Sequence, residues 1–200
     1  MEASGIILAG GLSSRMGSDK TLMVYSNETF IEHMVSEMRQ VVDEIIIASN
    51  HTTKYEIPGT VEVQDIYPGM GPLGGIHAGL LATQKSWAFV VATDMPLFKA
   101  DLAVFLLERS AGYDVVVPYI NGRWEPLCAV YSRECLKAIG ECLKADIRQI
   151  HRFYSQVRVL KVGEEELSRV GKIDELFYNM NTPEDYRNLY ERKVTGQDQG

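Results

Sequence analysis

The sequence predicts an α/β fold, a single three-layer domain with a mainly parallel central sheet and a Rossmann-like alternation of strands and helices. Three observations lead there. Short, uninterrupted apolar runs at Gly5–Ala9, Ile45–Ala48 and Trp87–Ala92 read as strands buried on both faces. Helix-period segments separate them, the pattern of strand, crossover helix and parallel strand. A long loop rich in glycine follows the first run directly. In an open parallel sheet ligands bind outside the carboxyl ends of the strands, so the loops after Ala9, Gln64 and Ala92 are the ones to read for a site.

The elements follow in order. After the first strand a loop is expected to about residue 28. Thr29 opens a helix as N-cap, with Glu32 completing a capping box. Phe30, Ile31, Met34, Val35, Met38, Val41 and Val42 form its apolar stripe. Ile45–Ala48 is the second buried strand and Val61–Gln64 a third. Pro72 starts a helix that runs to about Thr83. Trp87–Ala92 is a strand, and a helix is expected around Leu102–Glu108. Val115–Val117 and Leu127–Tyr131 are further strands, the region 133–153 reads as helical, and Val157–Val162 alternates as a strand. Thr182-Pro183-Glu184-Asp185 opens a last helix with an N-cap, a proline at the first helical position and acids in the first turn. The domain is expected to span 1–193, with a disordered tail over 194–200.

Bulk composition narrows the function classes. At 200 residues one medium domain is expected, and 46% hydrophobic residues suffice for a core. No apolar run is long enough to cross a membrane. The start, MEASGIILAGG, lacks the basic segment of a signal peptide, so a cytoplasmic location and no membrane partner are expected. A net charge of −7 argues against broad nucleic-acid binding. Cys128, Cys135 and Cys142 are an odd number, seven apart, which suits reduced packing thiols and neither a disulfide framework nor a zinc site.

An acidic chain still binds phosphate where its few cations converge. The loop Gly10-Gly11-Leu12-Ser13-Ser14-Arg15-Met16-Gly17-Ser18-Asp19-Lys20 offers that. Adjacent glycines let backbone N–H groups approach an anion, Arg15 can make two parallel hydrogen bonds to phosphate oxygens, and Lys20 adds a point charge. The Walker A pattern fails because Ser18 and Asp19 follow Gly17, and the dinucleotide fingerprint G-x-G-x-x-G is absent. The plain alternative is a strand-to-helix turn with solvated charges. Asp94, after the strand 87–92, suits a hard cation such as Mg²⁺, held by one or two carboxylates plus substrate phosphates. Capping the next turn beside Pro96 is the competing role, and both stay open. Gly74, Gly75 and Gly79 lie inside a predicted helix at a cost of roughly 1 kcal/mol each. Packing accounts for Gly79, while Gly71 to Gly75 are expected to face a nucleotide. His77 reads as a packing or surface residue.

Five stretches together resemble the molybdenum cofactor guanylyltransferases: LAGGLSSRMGSDK (8–20), QDIYPGMGPLGGIHAGL (64–80), VVATDMPLF (90–98), GRWEPLCAVY (122–131) and FYNMNTPEDY (177–186). The first marks a broader superfamily of nucleotide-activating enzymes, and the combination is more specific. The resemblance implies a nucleotide-diphospho-sugar-transferase-like fold and transfer of GMP from GTP to molybdopterin with release of pyrophosphate. It implies that Leu8, Ala9, Gly10 and Gly11 line the nucleotide, with Gly71 nearby, that Lys20 meets its phosphates, and that Asp65 contacts it. Asp94 would bind nucleotide and Mg²⁺. Asn179 and Asn181, in the Asn-x-Asn-Thr-Pro motif, and Glu125 would lie on the acceptor side. Other cofactor-biosynthesis proteins and molybdoenzymes are the implied protein partners. The family's glycines near 145–152 are missing from Lys144-Ala145-Asp146-Ile147-Arg148-Gln149.

The attacking phosphate is already an anion at pH 7, so no general base is needed. Positioning and charge neutralisation by Arg15, Lys20, Asp94 with its metal, and the loop amides make up the expected catalysis. Guanine presents two N–H donors on its pairing edge, which makes Asp65 or a nearby backbone carbonyl the candidate base selector. Trp124 either stacks on a pterin or packs as a half-buried aromatic. Competing readings are a relative that uses CTP on molybdopterin, one that acts on a sugar phosphate, and a GTP-binding regulatory protein without catalysis.

Overall fold

A computed structural model describes residues 2–9, 20–25, 27–50, 54–180, 182, 184, 185 and 187, with the side chains of Lys20 and Tyr25 excepted. The first strand, β1 (Ala3–Leu8), is buried at every position. A single 3₁₀ turn (Lys20–Leu22) leads to a small hairpin of β2 (Val24–Tyr25) and β3 (Glu28–Thr29), in the stretch expected to be loop. Helix α1 (Phe30–Arg39) starts as the sequence predicts. The Thr29 side chain accepts from the Glu32 N–H, and the Glu32 carboxylate accepts from the Thr29 N–H at 2.7 Å. Strands β4 (Glu44–Ser49) and β5 (Thr60–Gln64) follow, then α2 (Pro72–Ala82), β6 (Trp87–Ala92) and α3 (Ala100–Leu107). Next come β7 (Val115–Ile120), β8 (Arg123–Trp124), β9 (Cys128–Ser132), α4 (Leu136–Lys144), β10 (Val159–Gly163), α5 (Glu164–Leu167) and α6 (Ile173–Leu176).

The main sheet runs β10-β7-β9-β6-β1-β4-β5, with β8 added to β7. Strands β1, β4, β5 and β6 pair in parallel, as do β7 and β10. Strand β9 is antiparallel to both β6 and β7. Side-chain alternation sorts the core into two layers around the sheet. Ile7, Ile47, Phe89 and Val91 pack with α1 and α3 through Ile31, Met34, Met38, Leu102 and Leu106. Ile6, Leu8, Ile46 and Val90 pack with α2 and α4 through Leu73, Ile76, Leu80 and Ile139.

Three expectations are corrected. Strand β5 is the sheet edge and is not buried: Val61 is 54% exposed, and among the described residues no strand pairs with the outer side of β5. The helix expected over 133–153 is broken. A 3₁₀ turn (Arg133–Cys135) precedes α4, and a second (Ile150–Gln156) follows a bend at Asp146, whose φ of 54° cannot continue a right-handed helix. The three thiols are buried and unpaired as expected, but Cys135 and Cys142, whose spacing reads as one helix face, are split between the 3₁₀ turn and α4, with Cys128 in β9. Among the described residues, no helix is long and apolar enough to cross a membrane.

At the strand ends away from the site loops, Asp114 ties β7 to β10. Its carboxylate accepts from the Arg158 backbone N–H at 2.8 Å and from the guanidinium at 2.8 and 3.1 Å. That guanidinium holds the Asp114 carboxyl below the ordinary carboxylate range.

Close contact between α2 and the sheet depends on Gly79. A Cβ there would sit 2.7 Å from Cγ2 and 2.8 Å from Cδ1 of Ile6, a fully buried β-branched side chain on the central strand. Gly79→Ala gains about 1 kcal/mol of helix propensity. It loses more to overpacking, which costs about 1–3 kcal/mol. Chemical denaturation is expected to show a net loss of about 1–2 kcal/mol. A stabilised variant would contradict this packing.

Candidate active site

The chain reverses its direction of travel across the sheet at β1. Strands β4 and β5 add on one side of it, and the chain then returns through α2 to place β6 on the other. Such a switch point opens a crevice at the carboxyl ends of the two strands. Thr93 closes its floor, giving both its N–H and its hydroxyl to the Leu8 carbonyl, each at 3.3 Å. On the opposite side the Ala9 N–H reaches the Ala48 carbonyl at 2.8 Å. The glycine-rich loop therefore leaves the sheet directly beside Asp94.

A tyrosine holds the two ends of that loop. The Tyr55 hydroxyl donates to the Ala9 carbonyl and accepts from the Thr21 hydroxyl, each at 3.3 Å. The Tyr55 segment is itself fixed by Glu62 of β5. That carboxylate accepts the N–H groups of Lys54, Tyr55 and Glu56 at 2.9, 3.0 and 2.8 Å. Nothing in the sequence singled out Tyr55, Glu62 or Thr93. A lone tyrosine in a loop and a glutamate on an edge strand carry no local signature.

Asp65 follows β5 and lies against the start of α2. One of its oxygens accepts the Tyr67 N–H at 2.8 Å. A Cβ on Gly74 would fall 2.6 Å from Oδ1 and closer still to Oδ2, so Gly74 is a glycine because the Asp65 carboxylate occupies its side-chain space. Gly75 in turn makes room for Leu8, whose Cδ2 would be 3.1 Å from a Cβ. The expectation that Gly71 to Gly75 face a nucleotide is thus corrected for two of them, where the protein itself fills the space. Gly71 remains open. Its φ of +66° and ψ of −155° are a conformation reserved for glycine, and no atom lies within 4 Å of a Cβ there. Burial raises the Asp65 pKa above its ordinary value. His77 packs edge-on against Tyr67, with centroids 5.4 Å apart, and burial lowers its pKa. It is a packing histidine, as expected.

On the other side of Asp94 the antiparallel entry of β9 brings its leading residues to the same sheet edge. The Ala92 N–H donates to the Leu127 carbonyl at 3.0 Å, so Glu125 lies near Asp94. Burial, and then the charge of Asp94, raise the Glu125 pKa, while Arg123 acts in the opposite direction. Beneath them the Cys128 thiol is fully buried and pushed far up, first by desolvation and then by these two carboxylates. It stays neutral and serves packing. The segment after α6 crosses Asp94: the Met180 N–H donates to the Asp94 carbonyl at 2.7 Å, and Met180 is anchored against Phe30. Asn179 is thereby brought to the site.

Glu125 and Asn179 line a cavity of about 250 Å³ with Ile120, Asn121, Asp174 and Phe177. Trp124 does not join them. It packs on the α2–α4 side of the sheet, edge-to-face with Tyr119 and Tyr154 at 4.9 and 5.4 Å, which makes it the half-buried packing aromatic of the two roles foreseen. Gly10, Gly11, Arg15, Asn181 and the Lys20 side chain lie outside the described residues. Thr182 and Asp185 cap each other as expected, at 2.7 and 3.1 Å.

This combination defines an α/β protein with a glycine-rich loop leaving β1 and a carboxylate beside it at a topological switch point. Comparison with known proteins gives it a family. Residues 5–159 match the MobA-like NTP transferase domain, and the chain belongs to that family of nucleotidyltransferases. It is 40% identical over 185 residues to a probable molybdenum cofactor guanylyltransferase of Pelotomaculum thermopropionicum, covering 92% of this chain and 90% of that one. A protein of the same description from Carboxydothermus hydrogenoformans is 35% identical, with 92% of each chain covered. In three dimensions the chain is similar to molybdopterin-guanine dinucleotide biosynthesis protein A of Archaeoglobus fulgidus. The TM-score is 0.82 at 24% identity, over 96% of this chain and 99% of that one, a likeness of fold.

Tyr55→Phe keeps the ring and removes the one hydroxyl that joins Ala9 to Thr21. Unfolding in urea is expected to show a loss of about 1 kcal/mol. Trypsin should also cut faster at Arg15 and Lys20. Unchanged cleavage would show that the hydroxyl does not hold the loop.

Proposed function

We propose that the chain transfers GMP from GTP to the phosphate of molybdopterin and releases pyrophosphate, with Mg²⁺ as its metal. The observation that carries this is the position of Asp94. Thr93 sets it beside the start of the loop that leaves β1, and Met180 and the entry to β9 bring it close to Asn179 and Glu125, which line a cavity. A group transfer between two anions needs that arrangement, with a donor phosphate grip and an acceptor space meeting at one carboxylate. The names of the relatives supply the two substrates.

The donor set suits the metal. Among the described residues no three His, Cys, Asp or Glu side chains converge as a ready-made cage. Mg²⁺ is commonly held by one or two carboxylates with substrate phosphates completing its shell, and Asp94 is the carboxylate assigned to that role. Asp94 would hold the ion, which when bound neutralises phosphate oxygens and stabilises the charge that develops on them. The chain's own contribution is placement. An acceptor phosphate oxygen bonds to the α-phosphorus of GTP as the bond to the pyrophosphate oxygen breaks. Arg15, Lys20 and the amides around Gly10 and Gly11 are assigned to the departing phosphates. Leu8 and Ala9 set the start of that grip, and Asp65 with Gly71 is assigned to the nucleoside. No residue has to remove a proton, because the attacking oxygen is already anionic.

With molybdopterin present, a nucleotide panel is expected to give pyrophosphate release from GTP and not from CTP. Asp94→Ala should lower turnover by about 10³-fold, the scale of losing a preorganised electrostatic group. Release with CTP alone would overturn the guanylyl assignment. No release with any nucleotide would favour a binding protein without catalysis.

Guanine's two N–H donors make a half-buried carboxylate a good selector. Asp65→Ala is therefore expected to narrow the GTP preference over CTP by about tenfold, one lost charge-assisted hydrogen bond. An unchanged preference would remove Asp65 from base recognition.

A further inference from the structure

The strand ends away from the crevice hold a larger cavity of about 490 Å³. Small-molecule sites measure about 300–1,000 Å³. The cavity is bordered by Trp87, Asp114 and Arg158 at the amino ends of β6, β7 and β10, and by Ser132 at the carboxyl end of β9. The six residues of β6 put about 20 Å between it and the crevice. The reaction proposed above makes no use of it.

Its wall carries donors that the protein does not satisfy. The Arg133 backbone N–H donates to the Ser86 carbonyl at 3.0 Å, which fixes both residues at the cavity wall. The Arg133 side-chain Nε is buried and bonds to nothing among the described residues. A buried donor on a charged group is costly to leave unpaired, and at a cavity wall it points to an acceptor that comes from outside. Arg158 gives Nε and Nη2 to Asp114 at 3.1 and 2.8 Å, which leaves the Nη1 side of its guanidinium outside that pair.

The charges and rings of the wall narrow the ligand. Asp114 neutralises Arg158, and the Glu134 carboxylate is exposed, where water screens it. The single charge of the half-buried Arg133 is left over, and one negative charge balances it. A phosphate monoester carries nearly two at neutral pH and would meet Asp114 and Glu134 as well. Trp87 and Tyr113 are half-buried and offer ring faces. Beside Tyr113, Gly112 has a φ of +88° and no atom within 4 Å of a Cβ, so no neighbour fills the space there.

We infer that this cavity is a second ligand site and binds a flat aromatic carboxylate. The carboxylate lies on the Arg133 guanidinium and the ring lies against Trp87 and Tyr113. Arginine's fork matches the two oxygens of a carboxylate, so the buried Nε–H gains the acceptor it lacks. The ring removes apolar surface of both aromatics from water. Because the whole length of β6 separates this site from the crevice, it fills independently of the nucleotide.

The probe is indole-3-carboxylate, with indole-3-carboxamide as its neutral match. Calorimetry on the full chain is expected to show one saturable site for the carboxylate and about tenfold weaker binding of the carboxamide, the scale of one hydrogen bond to a charged group. Phenyl phosphate should also bind more weakly than the carboxylate. Arg133→Gln should weaken the carboxylate by about tenfold, and Arg133→Lys should not restore it, because a point charge does not make the fork. Saturating GTP should leave the affinity unchanged. No saturable binding by the wild type overturns the inference without any variant, and so does equal affinity for carboxylate and carboxamide. Tighter binding of phenyl phosphate overturns the carboxylate assignment. An unchanged affinity in a folded Arg133→Gln, or displacement by GTP, overturns it by placing the probe elsewhere. Guanylyl transfer is measured without the probe, so none of these results bears on that reaction.

Discussion

Strand β1 is covered on both faces and paired in parallel on both edges, so its backbone can end in only one way. The chain must leave the sheet at the carboxyl end of Leu8, in the crevice where the strand order reverses. The Leu8 carbonyl, which would point into that crevice, receives both the N–H and the hydroxyl of Thr93. One acceptor thereby joins the loop to the strand that carries Asp94. Ala9 extends the join to β4 through Ala48, and Tyr55 extends it to Thr21. The geometry of the site is thus set by backbone groups of the most buried strand, the part of an α/β domain that opens least often.

The electrostatics of the crevice follow from where its acids are placed. Asp65 and Glu125 stand on opposite sides of Asp94, and burial raises the pKa of each. In a chain of net charge −7 these carboxylates would repel two anionic substrates if nothing intervened. Such a site works only when cations from the loop and a metal outweigh them, and when the acids meet N–H donors on the substrates. This explains how an acidic protein can belong to a family that handles triphosphates. Two of its twenty Lys and Arg residues, Arg15 and Lys20, fall in the short loop after β1.

Much of the frame was legible because local chemistry decides it. Thr29 and Glu32 cap α1 whatever lies around them, Pro72 can begin a helix but not continue one, and the apolar run 87–92 has no alternative to a buried strand. Long-range choices were not legible. Val61–Gln64 has the composition of an inner strand and lies at the edge because no later segment among the described residues pairs outside it. The apolar spacing over 133–153 hides the left-handed turn at Asp146. The direction of β9 left no trace in Cys128–Ser132, yet it is what carries Glu125 to Asp94. In the site, the residues with chemistry of their own were visible and the residues that place them were not. Gly74 illustrates the gap. Its glycine was noticed, but the atom filling its side-chain space belongs to Asp65, nine positions away.

Guanine and pterin carry the same amino-pyrimidinone edge, so a carboxylate alone cannot tell donor from acceptor. On the proposed reading, discrimination has to come from what is attached to each ring. A triphosphate carries several negative charges and needs the amides and cations after β1. Among the described residues, no lysine or arginine lines the cavity near Asp174. On that reading the acceptor carries a single phosphate on a larger ring system. The sheet itself is asymmetric about β1 and β6, with the parallel strands β4 and β5 on one side and the antiparallel β9 on the other.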